Sequence, residues 1–114
     1  MTTRYYLTLP DSSRARGGDP ALAFTAHSAE GFAEQLQDAL RERTLFDRWR
    51  LMQPEPDEVD PALGATDPLA QVHGQQQDLH INLVVTSVIP GTVLKHRLRL
   101  LAGSHWELRD VTAA

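Results

Sequence analysis

Leu79–Val111, LHINLVVTSVIPGTVLKHRLRLLAGSHWELRDV, holds two β-rich runs either side of Pro90-Gly91 and a third after Ala102-Gly103-Ser104. Proline presets φ for the second position of a type II turn, and glycine supplies the positive φ at the third. A two-residue turn closed by Ile89 and Thr92 pairs Ser87 with Leu94, Val85 with His96, Leu83 with Leu98 and Ile81 with Leu100. That face is apolar almost throughout. The other face pairs Asn82 with Arg99, Val84 with Arg97 and Thr86 with Lys95. A one-residue slip would mix the two sets, so the pattern favours this register. A three-residue second turn then sets Trp106 opposite Leu100, Leu108 opposite Leu98 and Asp110 opposite His96. The stretch therefore reads as a three-stranded antiparallel meander with one core face.

Upstream, Thr3–Leu9 (TRYYLTL) alternates, with Tyr5, Leu7 and Leu9 on one side and Arg4, Tyr6 and Thr8 on the other. This predicts a strand ended by Pro10. Residues 11–20 are polar and turn-forming and read as a flexible hairpin loop. Leu22–Ala26 alternates over five residues and reads as a returning strand. Ser28 is suited to cap a helix, and Phe32, Leu36, Ala39 and Leu40 follow at helical spacing. Leu45–Met52 (LFDRWRLM) reads as a further strand, with continuation of the helix as the alternative.

Residues 53–78 contain four of the seven prolines, six acidic residues and no lysine or arginine. The stretch reads as an acidic, proline-rich loop without fixed structure. Outside it, nine acidic residues face eleven basic ones, so the overall charge of −4 averages two different regions.

The expected fold is α+β: one domain over 1–114, with an antiparallel or mixed sheet of about six strands in the order β-β-α-β-loop-β-β-β. A single helix packs on one face. One helix cannot cover so broad a sheet. Curling of the sheet, or a second subunit forming a homodimer, is expected to cover the rest.

Composition bounds the chemistry. At 41% hydrophobic residues the chain is in the globular range. No apolar run approaches a membrane span, so no membrane partner is expected. The absence of cysteine removes disulfides, cysteine-ligated zinc and a cysteine nucleophile, and it agrees with a cytoplasmic setting. His27, His73, His80, His96 and His105 show no metal-ligand spacing, so neither a metal nor another cofactor is expected.

Two constellations stand out. His96 and Asp110 fall side by side in the meander register, and a carboxylate orienting an imidazole suits general base catalysis. No nucleophile is placed beside them, so a self-satisfying polar pair is the plainer reading. Lys95, Arg97, Arg99 and Arg109 fall together on the polar face. They form a candidate surface for a polyanion such as RNA, though that mode normally adds exposed aromatic residues. The acidic loop could instead fold back over these cations.

No catalytic motif is present. The leading expectation is a small non-enzymatic interaction or regulatory module with a protein partner, or itself, as ligand. A polyanion-binding sheet is the alternative, and an enzyme built on the His–Asp pair comes third.

Overall fold

The computed structural model describes all residues, 1–114. It is an α+β fold with one four-stranded antiparallel sheet and three helices, which corrects the expected six strands and one helix. In chain order the elements are β1 (Thr3–Leu9), α1 (Ala29–Arg41), α2 (Thr44–Leu51), β2 (Gln71–Gln77), β3 (His80–Ser87), α3 (Gly91–Ala102) and β4 (Glu107–Ala113). The sheet order is β2-β3-β1-β4, and every neighbouring pair is antiparallel. Without α2 this is the β-α-β-β-α-β order called ferredoxin-like, an arrangement that hosts many unrelated activities.

The largest correction falls on the stretch quoted first. Residues 91–102 form α3, not a strand. Pro90 is the residue before the first helical turn, and Gly103, at φ 63°, ends the helix in the left-handed region. Leu94, Leu98 and Leu101 recur at helical spacing and are buried, whereas the alternation of Leu94, His96, Leu98 and Leu100 suggested a strand. The meander is therefore absent. β4 does form, but it lies beside β1, with Leu108 opposite Leu7 and Asp110 opposite Tyr6.

Four other readings change. Residues 45–51 belong to α2, and Phe46 is its buried anchor. Residues 22–26 form no strand; Leu22 and Phe24 enter the core from an irregular segment, and the Phe24 N–H donates to the Leu101 carbonyl at 2.9 Å. With no second strand there, residues 11–20 are not a hairpin loop. Gly17 is held to Leu101 by a 2.9 Å backbone hydrogen bond, and Ala15 is fully buried. Finally, residues 71–77, placed by sequence within the acidic loop, form edge strand β2.

The rest of the acidic segment is fastened by polar groups. Short 3-10 turns form at Pro56–Glu58 and Pro61–Gly64. The buried Arg97 guanidinium donates to the carbonyls of Ala39 (3.2 Å), Leu63 and Ala65 (2.9 Å). Arg41 donates to the Ala70 carbonyl at 2.7 Å. A carbonyl-rich connection with little apolar content can hold a fixed path when buried donors of this kind meet it.

One sheet face carries the core. Tyr5, Leu7 and Leu9 of β1 stand beside Val85, Leu83 and Ile81 of β3, and the helices cover them with Phe32, Leu36, Leu40, Leu94 and Leu98. Ser28 caps α1 as read, accepting from the Gly31 N–H at 3.0 Å. α1 sits close over β2, because a Cβ on Gly74 would lie 2.5 Å from the Ala29 carbonyl oxygen. All three helices lie on that side, so the second sheet face is uncovered.

Candidate functional site

The uncovered face follows from alternation in the strands. β1 sends Arg4, Tyr6 and Thr8 outward, and β3 sends Asn82, Val84 and Thr86. Register places them in rows across the sheet. His73, Val84, Tyr6 and Asp110 make the central row; Gln75, Asn82, Thr8 and Glu107 make the next. Tyr6 and Val84 are half-buried by their polar neighbours.

The polar side chains form a connected network. The Thr8 hydroxyl donates to Asn82 Oδ1 at 2.8 Å, and Asn82 Nδ2 donates to Gln77 Oε1 at 3.2 Å. His80 Nε2 lies 3.4 Å from the same Gln77 oxygen. A shallow groove of about 580 Å³ runs over this region, lined by Tyr6, Thr8, Pro10, His80, Asn82 and Val84 among others. At the far edge, the β1–β4 register shifts between Tyr6 and Leu7 and leaves Arg109 without a cross-strand partner. Such bulges re-aim side chains. Arg109 Nη1 meets Glu107 Oε2 at 2.9 Å.

The face is nearly neutral. Arg4 and Arg109 balance Glu107 and Asp110 when histidine is uncharged. Its chemistry is contact by one aromatic ring, one aliphatic side chain and a fringe of amide and hydroxyl groups. No grouping of three or more histidine, aspartate or glutamate side chains could hold a metal ion.

The site residues expected from sequence are not brought together. His96 lies on α3, buried against α2, with its ring 4.3 Å from Trp49 in an edge-on arrangement. Asp110 lies exposed on β4, and its Oδ1 accepts from the Val111 N–H at 2.8 Å. The pair was a product of the meander register and disappears with it. Both ring nitrogens of His96 are buried without a hydrogen-bond partner. Burial, with Arg97 and Arg99 adding repulsion, pushes its pKa down to about 4, so the ring is neutral at pH 7.

The four cations also separate. Lys95 and Arg99 are exposed on α3, Arg97 is fully buried, and Arg109 is engaged with Glu107 on β4. Arg97, expected on the polar face, is instead buried, with three carbonyl bonds and its guanidinium 5.4 Å from the Phe46 ring centre. Burial, then repulsion from Arg43, lowers its pKa to about 10 against the pull of Asp47, and it stays charged at neutral pH. Tyr6 and Val84, not chosen as site residues, are the centre of the open face. The signal was present in the strand alternation, which already set Tyr6 apart from Tyr5 and Leu7.

No protein-family model matches the chain, and neither a curated protein nor a solved structure matches it. No helix is long and apolar enough to cross a membrane.

Proposed function

We propose that the protein is a small non-enzymatic binding module that pairs with a second copy of itself through the open sheet face. The observation that carries this reading is the uncovered second face of the sheet, with Tyr6 and Val84 at its centre. Its balanced charges support self-pairing: two cations and two anions on one patch can be matched by the same patch turned about a two-fold axis. The same balance makes the face a poor match for a polyanion.

Four strands of seven or eight residues span roughly 19 by 23 Å, or about 440 Å² in plan. A stable interface buries about 800 Å² per partner, so the pairing is weak and concentration-dependent. A cysteine-free chain with no membrane-spanning helix supports a cytoplasmic setting for such a module.

Sedimentation equilibrium over a concentration series tests this. Wild type should rise in mass with concentration, while Tyr6→Glu and Val84→Lys stay monomeric with unchanged circular dichroism. A wild type that remains monomeric at the highest concentration, or a dimer indifferent to both substitutions, would sink the proposal.

A further inference from the structure

We infer that the outer surface of α3, bordered by Trp49 of α2, is a second docking site, for a short acidic protein segment in extended form. Lys95 and Arg99 are both exposed and stand four residues apart on α3, which contains no acidic residue. Neither makes an ion pair; the arginines that do are Arg14, Arg43, Arg50 and Arg109. Arg97, buried on the other side of α3, gives its hydrogen bonds to carbonyls and feels the pull of Asp47, so Lys95 and Arg99 alone make the exposed positive row. The charges pressing on His96, between these two exposed cations, are Arg97 and Arg99, with no carboxylate among them. Lys95 and Arg99 thus form a short exposed positive row with no ion-pair partner.

Its apolar border completes the recognition. Trp49 is half-buried against His96, and Leu51 and Met52, just beyond it, are exposed at 71% and 48%. Residues four apart on a helix are separated by about 6 Å along the axis. Alternate residues of an extended chain are separated by about 6.6 Å and face one way. A Glu-x-Glu segment therefore sets two carboxylates against Lys95 and Arg99, and a neighbouring leucine or phenylalanine reaches Trp49, which packs on His96 of α3.

A long polyanion fits less well. The exposed acids Glu55, Asp57, Glu58 and Asp60 follow α2 directly, and Arg97 ties the adjoining turn to α3. They repel a nucleic acid backbone or an anionic bilayer, which must extend over them, more than a short peptide confined to the α3 row.

The test uses the two tryptophans. Trp106 is replaced by Phe, leaving Trp49 as the fluorescent reporter in the full chain. The protein is titrated with a synthetic peptide carrying Glu-x-Glu and a flanking leucine, with its Gln-x-Gln counterpart, with oligouridylate and with phosphatidylserine vesicles. The Glu-x-Glu peptide should give a saturable change in Trp49 emission. The Gln-x-Gln peptide should bind at least about tenfold more weakly. Lys95→Gln with Arg99→Gln, both at exposed positions, should weaken the acidic peptide about tenfold or more, and added salt should do the same. Tyr6→Glu on the opposite sheet face should leave the affinity unchanged. Equal binding of both peptides, tighter binding of oligouridylate or vesicles, or loss of binding in Tyr6→Glu would each overturn the inference.

Discussion

Ser87, the last residue of β3, donates its hydroxyl to Asp67 Oδ2 at 2.8 Å, and both side chains are buried. The same carboxylate oxygen accepts from the Val88 N–H at 3.1 Å, and Oδ1 accepts from the Leu69 N–H at 2.9 Å. One side chain therefore joins the end of the acidic connection to the end of the central strand. Desolvation opposes its charge, but the Val88 N–H, the Ser87 hydroxyl and the Leu69 N–H outweigh that and, with Arg41, hold Asp67 below the usual carboxylate range.

Replacing Asp67 by Ala orphans two backbone N–H groups. Hydrogen bonds to a charged group are worth about 1.5–3 kcal/mol, so Asp67→Ala should cost about 2–3 kcal/mol in urea unfolding. Ser87→Ala removes the donor to Asp67 and the acceptor of the Ile89 N–H at 3.0 Å while leaving the Asp67–Val88 bond, and should cost about 1–2 kcal/mol. A smaller loss in Asp67→Ala than in Ser87→Ala would mean that the carboxylate does not hold this junction.

Arg97 is the second fastening. It reaches three carbonyls from α1 and the connection. Arg97→Met keeps much of the volume and removes every donor, leaving buried carbonyls unpaired at about 1–3 kcal/mol each before water enters. The expected loss is about 3 kcal/mol. Arg97→Lys restores the charge but not the planar fork, and should recover less than half of it. Amide exchange should quicken selectively around residues 61–66 in both variants. Unchanged exchange there, with global destabilisation alone, would mean the guanidinium packs without anchoring the connection.

Arg97 also explains why part of this fold was hidden in the sequence. In an alternating stretch, Lys95, Arg97 and Arg99 look like one solvated face, and the leucines between them like a core face. The helix instead buries Arg97 together with Leu94, Leu98 and Leu101, and sends Lys95 and Arg99 outward. Period alone does not separate these cases over so few residues. Composition favoured the helix, since leucine, lysine and arginine dominate residues 94–101 and β-branched residues stop at Val93. Gly103 also had the character of a helix stop. By contrast, β1 was readable to its ends, because Tyr5, Leu7 and Leu9 are buried and Arg4 and Tyr6 are not. β2 was unreadable: QVHGQQQ has one buried aliphatic residue and forms at the sheet edge by pairing with β3. The site followed the same division. The open face was legible wherever strand alternation was, and the His96–Asp110 pair failed because it depended on a long-range register.

Gly17 and Gly18 offer a paired test of the loop before α1. A Cβ at Gly17 would lie 2.1 Å from the Leu100 carbonyl oxygen, which is backbone and cannot swing aside. At Gly18 nothing lies within 4 Å. Gly17→Ala should therefore cost about 1–3 kcal/mol, as overpacking does, while also straining the bond to Leu101. Gly18→Ala should be neutral or slightly stabilising, because it restricts the unfolded chain. Thermal unfolding of the two variants compares them directly. Equal effects would mean the loop does not press on the end of α3.

His96 sets the pH response. Its folded pKa, about 4, lies below the ordinary value of 6.5, so between these limits the unfolded chain binds a proton that the folded chain refuses. Stability rises with pH wherever the unfolded state holds more protons. Acidification from pH 6.5 to pH 4 should therefore remove stability, by about 2 kcal/mol after allowance for relaxation around the ring. Asp67 acts lower. Its depressed pKa contributes stability above the unfolded value of about 3.9, and that contribution fades as pH falls through the folded value. The two losses occupy adjacent windows, with histidine first. His96→Phe keeps a ring against Trp49 and has nothing to titrate, so its urea midpoint should change little between pH 6.5 and pH 4. Below that range it should fall in parallel with wild type. A His96→Phe variant as acid-sensitive as wild type above pH 4 would place the titrating group elsewhere.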